Sequence, residues 1–139
     1  MIRSGSSRPG PWIVFLAYLG LTFYLSGRSV VPGVSLVPDY ILHTLEFAGL
    51  TFLLLRALNG GFLRRHPRWA LISALVFGPV WGLLDEFHQS FVPGRDASLK
   101  DAAVDAAATG ATVLFAHLAG GYVCSRRDAA AGNPTENSG

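Results

Sequence analysis

The segment Pro9–Gly27, PGPWIVFLAYLGLTFYLSG, runs for 19 residues without a formally charged side chain, and Ala106–Ser125, AAATGATVLFAHLAGGYVCS, runs for 20. A helix needs about 20 predominantly apolar residues to cross the roughly 30 Å hydrocarbon core of a bilayer. A helix on the surface of a water-soluble domain would wet one face, and neither segment offers a polar face. Both stretches therefore predict membrane-spanning helices and argue against a cytosolic globular protein. The remainder of the 139-residue chain agrees: half of it is hydrophobic in type, and its charged side chains, 11 basic and 9 acidic, include a single lysine.

Four spans follow, giving an all-α polytopic membrane protein with four transmembrane helices. The first is Gly10–Ser26. The second begins near Pro38 and reaches about Leu58, with Asn59, Gly60 and Gly61 as its stop. Proline early and glycine late is the usual order at helix ends. The third runs from about Trp69 to Gln89, and Gly78–Pro79 within it predicts a bend, because proline frees a backbone carbonyl. The fourth starts after Ser98 and ends near Cys124. Residues 1–9 are then a short N-terminal segment, 10–124 the membrane domain, and 125–139 a polar tail rich in Gly, Asn, Pro and Ser that is expected to be disordered. Tyr24, Leu25, Ser26 and Gly27 are not a small-x-small cleavage site, so the first helix is expected to be retained.

The arginines set the orientation. With the N-terminus in the cytoplasm, the inner side receives Arg3, Arg8, Arg56, Arg64, Arg65, Arg68, Arg126 and Arg127, and the outer side Arg28, Arg95 and Lys100. Both termini are therefore expected to be cytoplasmic. A formal charge of +2 with no dense basic patch excludes nucleic acid as a partner. The lone cysteine, Cys124, excludes an intrachain disulfide framework and a cysteine-rich metal site. The membrane lipid bilayer is the one partner the composition requires.

The ionisable residues gather at one level. The second span opens with Asp39, His43 and Glu46, whose offsets of four and three put them on one helix face. The third closes with Asp85, Glu86, His88 and Gln89. The fourth opens with Asp101 and Asp105, one turn apart, and Arg95 in the preceding loop supplies a cation. Glu46 lies two turns inside its helix, where an unpaired carboxylate costs about 2.5 kcal/mol or more at mid-membrane and less toward the interface. It should neutralise, pair with Arg95 or a histidine, or face a wet cavity. Each outcome requires these helices to turn their polar faces toward one another, which predicts a polar pocket open to the outside. Simpler readings exist for some members: Ser98 and Asp101 fit a capping box, and Asp39 favours the positive end of its helix. His66 and His117 fall at the other end and are not expected to join the cluster.

At these residues the sequence resembles the VanZ-like membrane protein family, named for a protein associated with teicoplanin resistance. The matching stretches are Asp39-x-x-x-His43-x-x-Glu46-Phe47-Ala48-x-Leu50 and Leu84-Asp85-Glu86-Phe87-His88-Gln89-Ser90-Phe91-Val92-Pro93-Gly94-Arg95, continuing through Ser98 to Asp101 and Asp105. The similarity covers roughly Pro32 to Ala119. Family members commonly carry glycine three positions after the residue matching Asp105; this chain has Ala108 there and Gly110 later, which weakens the case for close helix approach at that point and leaves the polar pattern intact. The resemblance implies a small protein of the bacterial cytoplasmic membrane and cell envelope, with a link in some members to glycopeptide antibiotic susceptibility.

Two functions suit this pattern. One is an enzyme acting at the outer leaflet on a lipid-linked or cell-wall substrate. His43 or His88 would be the general base and Glu46 or Glu86 its orienting or acid partner. Asp85, Gln89, Arg95, Asp101 and Asp105 would bind, with Arg95 suited to a phosphate or carboxylate. Asp85, Asp101 and Asp105, with histidine help, would alternatively hold a divalent metal, although the spacing fits no metalloprotease signature. The other is a non-enzymatic binding protein for an envelope precursor, a glycopeptide or a membrane partner. Four spans are too few for a monomeric alternating-access carrier.

Overall fold

The computed structural model describes residues 9–28, 37–95 and 97–131. They form four α-helices: α1 (Pro9–Ser26), α2 (Asp39–Asn59), α3 (Arg68–Gln89) and α4 (Leu99–Ala131). All four are long and apolar enough to cross a membrane, and the architecture is that of a multi-pass membrane protein. Seven of the eight helix ends fall within one residue of the sequence expectation. The exception is the end of α4. The tail expected to be disordered from Ser125 is helical through Ala131, because the alanines at 129–131 favour helix and Arg126 Nε still donates to Tyr122 Oη one turn back, at 3.0 Å. The Gly-, Asn- and Pro-bearing part of that tail, 132–139, lies outside the described residues, as does the N-terminal segment 1–8.

The side chains are distributed as a lipid solvent dictates. Ile13, Leu16, Leu45, Ile72, Val76, Leu83, Leu114, Phe115 and Leu118 all point outward and are exposed, an apolar surface far larger than a water-soluble monomer carries. Inside, α2 turns His43, Phe47, Leu50, Thr51, Leu54 and Leu55 inward, and α4 turns Ala102, Asp105, Ala108, Thr109, Val113, Ala116 and Gly120 inward. Both sets follow the three-and-four spacing of a single helix face. α4 packs along α2 and α3, and α1 leans chiefly on α2.

Small residues set the closest approach. Ala74, Gly78 and Gly82 recur at four-residue intervals on the buried face of α3, the small-xxx-small pattern of helix pairs in lipid. A Cβ on Gly78 would collide with the side chain of Thr109, and one on Gly82 would come within 2.9 Å of Asp105 Oδ2. The glycines that permit close approach are thus on α3, opposite α4, while Ala108 of α4 is itself buried. α3 continues as one helix through Pro79. At the opposite end of the bundle, Gly60 ends α2 in the left-handed conformation, φ 68°, with its N–H bonded to Arg56 O at 2.8 Å.

Candidate functional site

The start of α2, the end of α3 and the start of α4 meet at one end of the bundle, and the polar faces converge there. Asp105 is fully buried at 0% exposure, Asp85 at 3%, Glu86 at 4% and His43 at 8%. At a rise of about 1.5 Å per residue these groups sit about 5–9 Å inside their helix ends, below the level of freely hydrated termini. His43 Nδ1 and Asp105 Oδ1 are 3.0 Å apart, a buried pairing between α2 and α4. An ionised carboxylate only accepts, so opposite an ionised Asp105 Nδ1 is the donor.

Glu86 joins α3 to α4. Its Oε2 accepts the backbone N–H of Ser98 at 2.6 Å, while Ser98 Oγ accepts the N–H of Asp101 at 3.3 Å. This is the reciprocal bonding of a capping box with the acidic partner supplied by another helix. Ser98 does cap α4, as its spacing from Asp101 suggested; Asp101 contributes its N–H, and its half-buried side chain stands at the rim. Gln89 Nε2 donates to Asp85 Oδ2 at 2.7 Å, one turn back on α3.

One oxygen of each carboxylate is therefore tethered and the other is not. Asp85 Oδ1, Glu86 Oε1 and Asp105 Oδ2 are buried with no hydrogen-bond partner among the described residues. One donor atom from each of His43, Glu86 and Asp105 lies within 4.8 Å of the other two. Of the candidate metal ligands read from sequence, Asp105 is in this group together with a histidine, His43; Asp85 and Asp101 are outside it, and Glu86 stands in their place.

Glu46 is half-buried beside the group, within electrostatic reach of Asp85, His43 and Asp105, with the Thr22 hydroxyl of α1 next to it. Its pairing with Arg95 is not observed. Arg95 is half-buried, its Nε lacks a partner, and the only ion pair found among the described residues is His43–Asp105. The turn Val92–Arg95, closed by Arg95 N–H to Val92 O at 3.1 Å with Gly94 at φ 82°, fixes the arginine backbone at the mouth instead.

His88 also departs from expectation. Two residues from Glu86, it points about 200° away around the helix and stacks on Phe23 of α1, with ring centroids 4.3 Å apart and planes 24° apart. It does not face His43 and Asp105. His66 and His117 lie at the other end, lining a cavity of about 410 Å³ with Arg65, Leu118, Gly121 and Tyr122.

Sequence reasoning missed several residues that shape the recess. Thr51 Oγ1 donates to Thr109 Oγ1 at 3.4 Å directly beneath it, and Gly78 and Gly82 make the room that Thr109 and Asp105 fill. The Gly78-x-x-x-Gly82 spacing and the placement of Thr109 one turn after Asp105 were the available signals.

No family model, curated protein or solved structure matches this chain.

Proposed function

We propose that the chain is a VanZ-like cell-envelope enzyme of the bacterial cytoplasmic membrane, acting at the outer leaflet on a lipid-linked or cell-wall substrate. The observation that carries the reading is the buried His43–Asp105 pair at 3.0 Å with Glu86 beside it. A carboxylate on Nδ1 holds the ring and its tautomer, leaving Nε2 to take a proton from an attacking hydroxyl or water. Glu86, entering the reaction protonated on Oε1, would give its own proton to the leaving group while His43 holds the one it took. Arg95, at the mouth and without a carboxylate partner among the described residues, suits the phosphate of a lipid-linked headgroup. The outward orientation is supported by Arg56, Arg64, Arg65 and Arg68, which cluster around the α2–α3 connection at the opposite end. The resemblance of the Asp-Glu-x-His-Gln and Pro-Gly-Arg stretches supports the envelope setting and a bearing on glycopeptide susceptibility.

The test is incubation of the protein in bilayers with a polyprenyl-phosphate-linked wall precursor, followed by mass spectrometry of the lipid. Wild type should yield a product, and His43→Ala and Asp105→Asn should not. Stoichiometric retention of the precursor without product would replace the enzyme with a binding protein. Neither product nor retention would reject the substrate class.

A further inference from the structure

The recess is acidic and short of cations. Asp85, Glu86 and Asp105 are each more than nine-tenths buried, and Glu46 adjoins them. Among the described residues no lysine or arginine comes within 4 Å of these carboxylates. Desolvated charge of one sign is costly in a low-dielectric interior unless a counter-charge is supplied. The three orphaned oxygens add a second cost, since a buried acceptor without a donor forfeits the hydrogen bonds it had in water.

We infer that His43, Glu86 and Asp105 form a binding site for one divalent transition-metal ion of the manganese or zinc type. Bond lengths near 2.1 Å in a tetrahedral arrangement place donors about 3.4 Å apart. The three donors already lie within 4.8 Å of one another, so side-chain adjustments of about 0.7 Å each close them on an ion. The tethering also suits a ligand set. The 3.0 Å between His43 Nδ1 and Asp105 Oδ1 is already close to that ligand spacing, with Nδ1 losing its proton to the medium as the ion enters, and Glu86, held through Oε2 by the Ser98 N–H, offers its unpartnered Oε1. Outer hydrogen bonds that fix a ligating carboxylate while sparing one oxygen are the normal support of a metal site. Gly82 contributes by omission, because a Cβ there would sit 2.9 Å from Asp105 Oδ2.

The donor mixture selects the ion. One imidazole with two carboxylates is too nitrogenous for a magnesium or calcium cage and too hard for copper(I). Three protein donors leave positions open for water or a phosphate oxygen. The site stands on donor geometry and holds whether or not the chain turns over a substrate. With the ion seated, His43 is a ligand; the proton-accepting role drawn for it above then passes to an ion-bound water.

The test uses the full chain purified in detergent without chelators and without a histidine tag. Elemental analysis should find one manganese or zinc per chain. After removal by EDTA, adding back Mn2+ or Zn2+ at about 100 times its Kd should raise the melting temperature by about 5–10 °C. Glu86→Gln, which keeps an acceptor for Ser98, and Asp105→Asn should abolish both readouts; Asp128→Asn, at the far end of α4, should abolish neither. Pulsed EPR of the Mn2+ form should show an imidazole ¹⁴N coupling, a readout that needs no variant. Substoichiometric metal with no thermal shift, a shift that survives both variants, or absence of the nitrogen coupling would each overturn the site. Precursor turnover by metal-free protein would overturn the role given to an ion-bound water and return proton acceptance to the His43–Asp105 pair.

Discussion

Replacing Gly78 with alanine tests whether the α3–α4 contact is as close as it looks. A Cβ at this position would meet the Thr109 side chain head-on, with Cγ2 at 2.6 Å and Cβ at 2.8 Å. Rotating Thr109 about χ1 moves Oγ1 and Cγ2 and leaves its Cβ in place, so the two helix backbones must separate. Overpacking of this kind costs about 1–3 kcal/mol. Alanine recovers about 0.5–1 kcal/mol through its higher helix propensity, so a net destabilisation of up to about 2.5 kcal/mol remains. Gly110 provides the control, since nothing lies within 4 Å of a Cβ built there and Gly110→Ala should be neutral or stabilising by up to about 1 kcal/mol. Gly82→Ala should fall between them, because its closest contact is the movable Oδ2 of Asp105. Denaturant titration in one detergent, read by helical circular dichroism, ranks the three. Thr109→Gly combined with Gly78→Ala should restore part of the loss. A Gly78→Ala protein as stable as Gly110→Ala would refute the packing described for α3 and α4.

Other outcomes follow from particular contacts. His88→Ala should leave metal loading intact and cost about 0.5–1.5 kcal/mol of stability through the lost Phe23 stacking; loss of metal instead would return His88 to the recess. Ser98→Ala should cost about 1 kcal/mol as a lost helix cap while retaining the N–H that Glu86 accepts, and its melting curve relative to Glu86→Ala separates cap from carboxylate. In a Cys124→Ser background, Arg95→Cys should react with a membrane-impermeant maleimide on intact cells and Arg65→Cys only after permeabilisation. The reverse pattern would invert the proposed orientation.

The spans were legible because lipid imposes a one-dimensional requirement: length and absence of charge marked α1, and length with the proline and glycine signals at the helix ends marked α2, and α3 ran to Gln89 with its polar outer turn, all to within a residue at each end. The end of α4 was misread because composition averages over a tail whose first part, 125–131, is rich in alanine and whose later part carries the helix breakers. The convergence of His43, Glu86 and Asp105 followed from helical spacing, since each lies on its helix's inward face. Spacing could not assign His88 correctly. Two residues separate it from Glu86, and only the position of α1, which brings Phe23 to that side, shows that it serves a different contact. The Glu46–Arg95 pairing, one of the alternatives open to Glu46, is absent among the described residues for another reason: a loop residue has no periodicity, and the Val92–Arg95 turn decides where the arginine side chain begins.

The recess is built by two clamps on either side of Asp105. On the side toward the helix ends, Glu86 holds the first turn of α4 through Ser98; on the other, Gly78 receives Thr109. Asp105 lies between these levels, so its distance from α3 is set before its own side chain makes any bond. α2 is then drawn to the pair by Thr51 on Thr109 and by His43 on Asp105. The same atoms thus fix the helices and present the unpaired oxygens. Truncating Glu86 to alanine removes the clamp together with the chemistry, and loss of function would then say nothing of which was essential. Glu86→Gln divides them: the amide oxygen still accepts from Ser98, whereas the negative charge at the recess is gone. If the clamp alone matters the glutamine protein behaves as wild type, and if the charge matters it keeps its helices and loses its ligand.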